Sequence, residues 1–317
     1  MKIVAVEPIG ISVDLAQELE KKFKILGHDF VFYADRKEDE PTLIERMREA
    51  DIVIVSNIKL SSNVLSHCTH LQMLSVAFTG IDHIDVAYCK EHQITICNAS
   101  GYATMAVSEL AIGLMLDIYR HITLLDSEIR QGGSRGACLG RQLYGKTVGI
   151  VGTGAIGCKT AELLLSFGCK VVAWSRTQKQ ELIDKGVQYL DLETLMAVSD
   201  IISVHVPLTE ETYHLINASK LALCKPSAIL VNTARGNVVD NEALAMALKQ
   251  EKLAGAGLDV FEMEPPLPKD YPLFNAPHCV LVPHVGYATE EAFAQRINIV
   301  LENIYAYLSG KVINKCL

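Results

Sequence analysis

The segment Gly152-Thr153-Gly154-Ala155-Ile156-Gly157 follows the apolar run Val148–Val151 and precedes a helical pattern over residues 158–167. A strand, a glycine-rich loop and a helix in this order are typical of a dinucleotide-binding unit. The first glycine permits a tight turn, the second lets backbone approach a pyrophosphate, and the third lets helix and strand pack closely. The helix N-terminus supplies N–H groups for the phosphates. The predicted cofactor contacts in this loop are therefore Gly152, Gly154, Ala155, Ile156 and Gly157.

Composition limits the classes of protein to which the chain can belong. The 317 residues favour two domains over one. The net charge of −8 disfavours nucleic acid as a partner, because phosphate backbones require a basic surface. We expect no membrane span, since no apolar run is long enough, and the N-terminus lacks a signal-peptide pattern. The nine cysteines form no C-x-x-C pair, so we expect no metal site and a cytoplasmic location.

Predicted strands and helices alternate in both halves of the chain. Short apolar strands are predicted within residues 3–97 and again within 148–282, separated by helical patterns. Two long helical patterns cover residues 105–131 and 290–308. We predict an α/β fold of two parallel-sheet domains with a cleft between them: residues 1–101 and 290–317 bind the substrate, and residues 102–289 bind the dinucleotide. The strongly apolar residues 106–116 further predict a homodimer surface.

Three more motifs lie downstream of the glycine loop: Asn232-Thr233-Ala234-Arg235-Gly236, the segment Leu258–Pro266, and Pro283-His284-Val285-Gly286. With these motifs, the chain resembles the D-isomer-specific 2-hydroxyacid dehydrogenases over essentially its whole length. The resemblance implies two Rossmann-like doubly wound domains, a flavodoxin-like substrate domain and an NAD(P)-binding domain. It also implies hydride transfer between the nicotinamide and C2 of a 2-oxo acid, giving the D-2-hydroxy acid.

The resemblance assigns the catalytic roles to Arg235, Glu264 and His284. A guanidinium is permanently charged and can form two hydrogen bonds with a carboxylate, so Arg235 suits the substrate carboxylate. Histidine titrates near neutral pH, so His284 suits the proton donor and acceptor. A carboxylate against the ring, from Glu264, keeps the imidazole protonated and fixes its orientation. Taken alone, each residue favours a structural role, such as a surface salt bridge or a strand cap; their joint occurrence in matching motifs favours catalysis.

Further contacts follow from the same resemblance. The backbone amides of Phe78, Thr79 and Gly80 correspond to the loop that receives the substrate carboxylate, and Phe78 either narrows the pocket or packs in the core. Asp259 corresponds to the family aspartate at the nicotinamide amide. The other expected cofactor contacts are Thr104, Val107, His205, Val206, Pro207, Thr212, Thr233, Ala234, Arg235, His284 and Gly286.

The end of the second strand in the dinucleotide unit bears on the choice of cofactor. An NAD-specific site carries Asp or Glu here, bonded to the ribose 2′-hydroxyl. This chain has Ser175-Arg176-Thr177 instead. Without the acid a 2′-phosphate is not repelled, and Arg176 can pair with it. NADP(H) is therefore favoured, with NAD(H) as the alternative.

The substrate is less strongly indicated than the reaction. Relatives that act on phosphoglycerate carry arginines where this chain has Ser56 and Val76, although Lys59 is a cation nearby. A small uncharged 2-oxo acid such as glyoxylate or hydroxypyruvate is therefore expected. Two alternatives are kept: a D-3-phosphoglycerate dehydrogenase-like activity, and a nucleotide-sensing binding protein that has the fold without catalysis.

Overall fold

A parallel sheet forms the centre of each of two units in the computed structural model, which describes residues 1–317. Unit 1 comprises Met1–Ala103 and Ala288–Leu317, and unit 2 comprises Thr104–Tyr287. This architecture of parallel sheets with flanking helices confirms the predicted fold class. The assignment of unit 1 to the substrate and unit 2 to the dinucleotide, and the cleft between them, stay predictions.

The strands of unit 1 are short and mostly buried, as in a sheet that is covered on both faces. Ser12, Asp39, Ser61 and Asp85 cap the helices between them, each accepting a hydrogen bond from a backbone N–H three residues later. The elements are β1 (Lys2–Ala5), α1 (Val13–Ile25), β2 (Asp29–Phe32), α2 (Glu40–Met47), β3 (Ile52–Val55), α3 (Ser62–Ser66), β4 (Met73–Val76), α4 (Val86–Glu91) and β5 (Thr95–Asn98). The strand order β2-β1-β3-β4-β5 is that of flavodoxin-like sheets.

Unit 2 contains a parallel sheet of seven strands in the order β12-β11-β10-β9-β6-β7-β8. Read from β8, the order of the first six strands is that of a Rossmann sheet, with the reversal between β6 and β9. The elements are α5 (Thr104–Arg120), α6 (Ile122–Arg130), β6 (Thr147–Val151), α7 (Ala155–Ser166), β7 (Lys170–Trp174), α8 (Gln180–Asp184), β8 (Gln188–Tyr189), α9 (Leu192–Val198), β9 (Ile201–Val204), α10 (Ala218–Leu221), β10 (Ile229–Asn232), α11 (Asn241–Lys249), β11 (Gly255–Leu258) and β12 (Cys279–Leu281).

The apolar part of α5 belongs to the core of unit 2. Ala111, Met115 and Ile118 pack in one cluster with the β6 residues Val148 and Ile150. A second cluster covers the other face of the sheet beneath α9, α10 and α11. Much of the apolar character of residues 106–116 is thus accounted for within the chain, and the homodimer surface at this stretch stays a prediction.

The prediction of a single helix over residues 105–131 is wrong, because this stretch forms two helices. The chain breaks at His121, whose φ of 54° lies in the left-handed region, and α6 then begins at Ile122. No residue of α6 is buried, and Ile122, Leu124 and Ile129 are 48–64% exposed. The helix α6 therefore exposes several apolar side chains on the surface of unit 2.

The last helix, α12 (Glu290–Leu308), returns the chain to unit 1. Thr289 caps its first turn, and Val300 and Ile304 are fully buried where the helix packs on β4 and β5. The side chain of Asn303 donates a hydrogen bond of 3.0 Å to the carbonyl of Asn98 at the end of β5. Across the whole structure, no helix combines the length and apolar character needed to cross a membrane.

Candidate active site

The glycine loop joins β6 to α7 at the point where the strand order of unit 2 reverses. A Cβ atom on Gly157 would lie 1.9 Å from the carbonyl oxygen of Gly152, so this close packing of helix on strand requires glycine. Next to Gly154, in contrast, a Cβ would meet nothing within 4 Å. Gly154 is the N-cap of α7, and no side chain caps the helix. The first turn, beginning with Ala155 and Ile156, therefore has N–H groups open to an anion.

Two unpartnered polar atoms lie at the same edge of the sheet. The Nδ1 atom of His205 after β9 and the Oγ1 atom of Thr233 after β10 are buried without a hydrogen-bond partner. Burial lowers the pKa of His205 to about 4, so its ring is neutral at physiological pH, and its Nε2 lies 2.8 Å from the Ser203 hydroxyl. Buried polar groups without partners are uncommon in native proteins. Together with the open helix N-terminus, they fit the binding of a dinucleotide.

The segment after β7 carries the residues expected to distinguish the two cofactors. The hydroxyl of Thr153 donates to the carbonyl of Thr177 at 3.4 Å and accepts from the Tyr189 hydroxyl at 3.0 Å, which ties this segment to the glycine loop. The Nη1 atom of Arg176 lies 3.5 Å from a carboxylate oxygen of Glu211, and both side chains are about three-quarters exposed. Such exposed ion pairs contribute little to stability.

Arg235 lies in the turn after β10. The buried side chain of Asn232 accepts a hydrogen bond from the Ala234 N–H and donates one to the carbonyl of Arg235, which fixes the turn. The next residue, Gly236, lies so close to Phe261 that a Cβ would be 1.9 Å from its carbonyl. This contact brings the turn of Arg235 against the segment that follows β11 and carries Glu264.

His284 lies in the turn after β12, and its Nδ1 atom is 2.8 Å from the Oε1 atom of Glu264. The backbone of His284 has a φ of 54°, a conformation that costs energy for residues other than glycine and occurs preferentially at functional sites. The ring also contacts Tyr287 edge-on, at 5.4 Å between centroids. Arg235, Glu264 and His284 thus follow three adjacent strands at one edge of the sheet of unit 2.

Asp259, which follows β11, stabilises the turn that contains His284. Its Oδ1 accepts from the Val285 N–H at 2.6 Å, and its Oδ2 accepts from the Gly286 N–H at 2.8 Å. Burial raises the pKa of this carboxyl above its usual value, against the opposing effect of the two N–H groups. Asp259 therefore fixes the turn that presents His284, a role that sequence reasoning missed; its contact with the nicotinamide amide stays a prediction.

The predicted carboxylate loop of unit 1 follows β4. The Asn98 side chain donates to the carbonyl of Thr79 at 2.6 Å, and the Ala99 N–H donates to the carbonyl of Phe78 at 3.0 Å. Phe78 is 7% exposed and packs on the ring of Tyr102, with 6.4 Å between centroids. Phe78 is thus part of the core of unit 1, and Thr79 and Gly80 form the more exposed part of the loop.

The other predicted cofactor residues belong to unit 2. Thr104 begins α5, and Val107 lies in its first turn, 3.4 Å from the position of a Cβ on Gly286. The hydroxyl of Thr212 donates to the carbonyl of Pro207 and so closes the loop that begins at Val206. Ser108, which sequence reasoning did not select, donates to the carbonyl of Ile156 at 3.2 Å and braces the start of α7.

Comparison with known proteins gives a consistent result. Residues 112–286 match the sequence profile described as "D-isomer specific 2-hydroxyacid dehydrogenase, NAD binding domain". A glyoxylate reductase of Thermococcus litoralis is 41% identical over 280 residues, covering 85% of this chain and 84% of that protein. A hydroxypyruvate reductase of Thermotoga maritima is 39% identical over 274 residues, covering 85% and 89%. A solved acyclic imino acid reductase, Bsp5, in complex with NADPH and D-Arg, superposes over 100% of both chains with a TM-score of 0.90 and 31% identity.

Proposed function

Because the chain belongs to the D-isomer-specific 2-hydroxyacid dehydrogenases, a family of oxidoreductases, we propose that it reduces small 2-oxo acids such as glyoxylate or hydroxypyruvate at C2 to the D-2-hydroxy acid. The contact of 2.8 Å between His284 and Glu264, on the strand edge that also carries Arg235, is the observation that carries this proposal. This arrangement places a proton donor, His284, on the same strand edge as Arg235, the cation that would bind the substrate carboxylate.

Each side chain of the site has one task in this proposal. The guanidinium of Arg235 binds the substrate carboxylate and orients the carbonyl. His284 donates a proton to the carbonyl oxygen, and Glu264 holds the ring in place through Nδ1. Asp259 keeps the turn of His284 in place through the two backbone N–H groups. A reduced nicotinamide, when bound, supplies the hydride.

A substrate panel tests this proposal against a non-catalytic alternative. We expect the purified protein to oxidise NADPH with glyoxylate, hydroxypyruvate or another short 2-oxo acid, and to release the D-isomer of the product. A nucleotide-sensing protein of this fold would bind the cofactor without turnover. Cofactor binding without turnover of any 2-oxo acid would therefore contradict the proposal. The same panel tests the phosphoglycerate dehydrogenase-like alternative, which predicts that 3-phosphohydroxypyruvate is reduced with a higher kcat/KM than the other 2-oxo acids.

For the cofactor, we propose a preference for NADP(H) over NAD(H). Ser175 places no carboxylate at the end of β7, and the Arg176 guanidinium is exposed, with a weak 3.5 Å pairing to Glu211. A 2′-phosphate offers this guanidinium a stronger, bidentate partner than an exposed carboxylate does. The solved structure of the similar protein Bsp5 is a complex with NADPH.

Substitutions at this segment should reverse the cofactor preference. Arg176→Ala is expected to weaken the binding of NADPH by about 1–3 kcal/mol, because one charge-assisted contact is lost. The binding of NADH should be unchanged. Ser175→Asp should weaken the binding of NADPH, because the new carboxylate repels the 2′-phosphate. It should strengthen the binding of NADH by accepting hydrogen bonds from the ribose hydroxyls. The measurement is kcat/KM for both cofactors with one fixed substrate, with Lys179→Ala, a nearby surface cation, as the control. A wild-type preference for NADH of tenfold or more would contradict the assignment.

We also propose that the protein is a homodimer whose interface includes α6. The α6 side chains Ile122, Leu124 and Ile129 are 48–64% exposed, and a group of exposed apolar side chains is typical of a protein–protein contact. Sedimentation at micromolar concentration should give about twice the chain mass, and Ile129→Glu should shift the population toward the monomer. A mass near 34.8 kDa for the wild type would count against the dimer.

A further inference from the structure

Arg296 is a buried cation that no carboxylate compensates. It lies in α12 and is 3% exposed. Its one side-chain hydrogen bond is long, 3.4 Å from Nη1 to the hydroxyl of Ser56, and its buried Nε has no partner. The guanidinium instead lies over two aromatic rings, 4.3 Å from the centroid of Phe293 and 5.7 Å from that of Tyr102. A buried charge without a counterion is costly, and such a group is a candidate for a functional contact.

The other shielded arginine of unit 1 provides a contrast. The side chain of Arg46 is 8% exposed, comparable with Arg296. Its guanidinium pairs with Asp35 at 2.7 Å and donates to the carbonyls of Val6 and Asp35. Its interactions are thus completed within the protein, as expected for a structural arginine. Arg296 has no such set of partners.

The position of the Arg296 guanidinium relative to the sheet of unit 1 also indicates a ligand site. Its Nη2 lies beside Gly10, which follows β1, where a Cβ would approach to 2.8 Å. Its Nη1 contacts Ser56 at the end of β3. The strand order β2-β1-β3-β4-β5 reverses between β1 and β3, and ligands of such open sheets bind at the carboxyl ends of the strands at this reversal.

The surroundings connect Arg296 to the predicted substrate loop. The Ser56 hydroxyl donates to the carbonyl of Ala77, the residue before Phe78. Tyr102, over which the guanidinium lies, packs on Phe78. Glu7 is the buried acid at this edge, but its oxygens accept from the N–H groups of Ser56 and Ile58 and from Arg36. The carboxylate of Glu7 is therefore already neutralised by other groups.

We propose that Arg296 is a specificity-determining residue that binds a second anionic group, a carboxylate or phosphate, on the side chain of the 2-oxo acid. This proposal rests on the reductase activity proposed above and narrows its substrate class. It departs from the uncharged side chain expected from Ser56 and Val76, because the cation at this edge comes from α12, far along the chain from those strand ends. Glyoxylate and hydroxypyruvate would then be accepted with lower kcat/KM than acidic analogues.

Matched substrate pairs test the proposal. Oxaloacetate and 2-oxobutyrate have the same number of carbons and differ in a terminal carboxylate, and 3-phosphohydroxypyruvate and hydroxypyruvate differ in a phosphate. The wild type should prefer the charged member of at least one pair by about 10- to 100-fold in kcat/KM, as expected for one charge-assisted contact. Arg296→Met should remove this preference, and Arg296→Lys should retain part of it, since lysine keeps the charge without the planar fork. The pair that responds distinguishes carboxylate from phosphate.

Thermal stability separates this role from a structural one. Without ligand, Arg296→Met should melt at the same temperature as the wild type or higher, because an uncompensated buried charge is removed. The control, Arg46→Met, should melt lower and leave the substrate ratios unchanged. An Arg296→Met variant that melts lower and affects both members of each pair equally would overturn the proposal.

The proposal can also be decided if the reductase activity itself fails. In that case, stabilisation of the NADPH-loaded wild type by oxaloacetate or 3-phosphohydroxypyruvate is compared with that of Arg296→Met. Stabilisation of the wild type alone supports the anion site while contradicting the reaction. Equal stabilisation of both proteins, or none, overturns the site.

Discussion

Replacing His284 with alanine is expected to lower kcat for 2-oxo acid reduction by about 10²- to 10⁴-fold, the usual contribution of a positioned general acid. The ring is held by Glu264 at 2.8 Å and belongs to a turn that Asp259 fixes through two backbone hydrogen bonds. Removing the ring leaves the two hydrogen bonds from the backbone of the turn to Asp259 intact. Affinity for the reduced cofactor should therefore change little, which a fluorescence titration of the bound nicotinamide would measure beside steady-state kcat.

The backbone of His284 requires a control of its own. Alanine is less tolerant than asparagine of the left-handed conformation found here, so part of the effect of alanine could come from a displaced turn. His284→Asn keeps a side chain suited to that backbone and should lose as much kcat as His284→Ala. Glu264→Gln, which keeps a hydrogen bond and removes the charge, should lose less. A His284→Asn variant with near wild-type kcat would contradict the assignment of the proton donor.

Replacing Arg235 with alanine should lower kcat/KM by about 10²- to 10³-fold, as expected for the loss of a shielded charge-assisted contact with the substrate carboxylate. KM should rise strongly, and kcat should also fall, because the carboxylate contact orients the carbonyl for hydride transfer. Guanidinium ion added to the assay should restore part of the activity of Arg235→Ala. Steady-state kinetics with and without this ion provide the measurement.

Arg141 offers a matched control for Arg235. It belongs to the same unit, and its Nη1 donates to the carbonyl of Ser227, before the amino end of β10. Because Arg235 follows the carboxyl end of that strand, Arg141 lies at the opposite edge of the sheet. Arg141→Ala should leave kcat/KM nearly unchanged. An equal loss in the two variants would mean that the effect of Arg235→Ala comes from general destabilisation.

Features that depend on local pattern were predicted well from the sequence. The strands β2, β3 and β7 lie within the predicted ranges, residues 3–97 and 148–282, because short runs of buried apolar residues between polar turns identify strands in parallel sheets. The helix α12 also begins and ends as predicted. The glycine loop and the His284 turn occur where the motifs placed them, at the carboxyl ends of β6 and β12.

Features that depend on tertiary context were not predicted. The helical period continues through His121 without interruption, so only the backbone conformation shows where α5 ends. The strand β8 has two residues and exists through its pairing with β7. The sequence likewise does not predict that Asp259 binds the turn of His284, or that Arg296 is buried without a carboxylate partner. Both depend on which groups the fold brings near them, across 26 and 240 residues of chain.

The discontinuity of unit 1 constrains how the protein can fold while it is being synthesised. The sheet of residues 2–98 leaves the ribosome early, but the face of β4 and β5 that α12 covers stays uncovered until Val300 and Ile304 have been made. Unit 2 is one uninterrupted stretch of chain, so all its strands are present before α12 exists. The order of completion should therefore be reversed relative to the order of synthesis. During translation, nascent chains shorter than about 304 residues lack this cover and should be the ones that recruit chaperones.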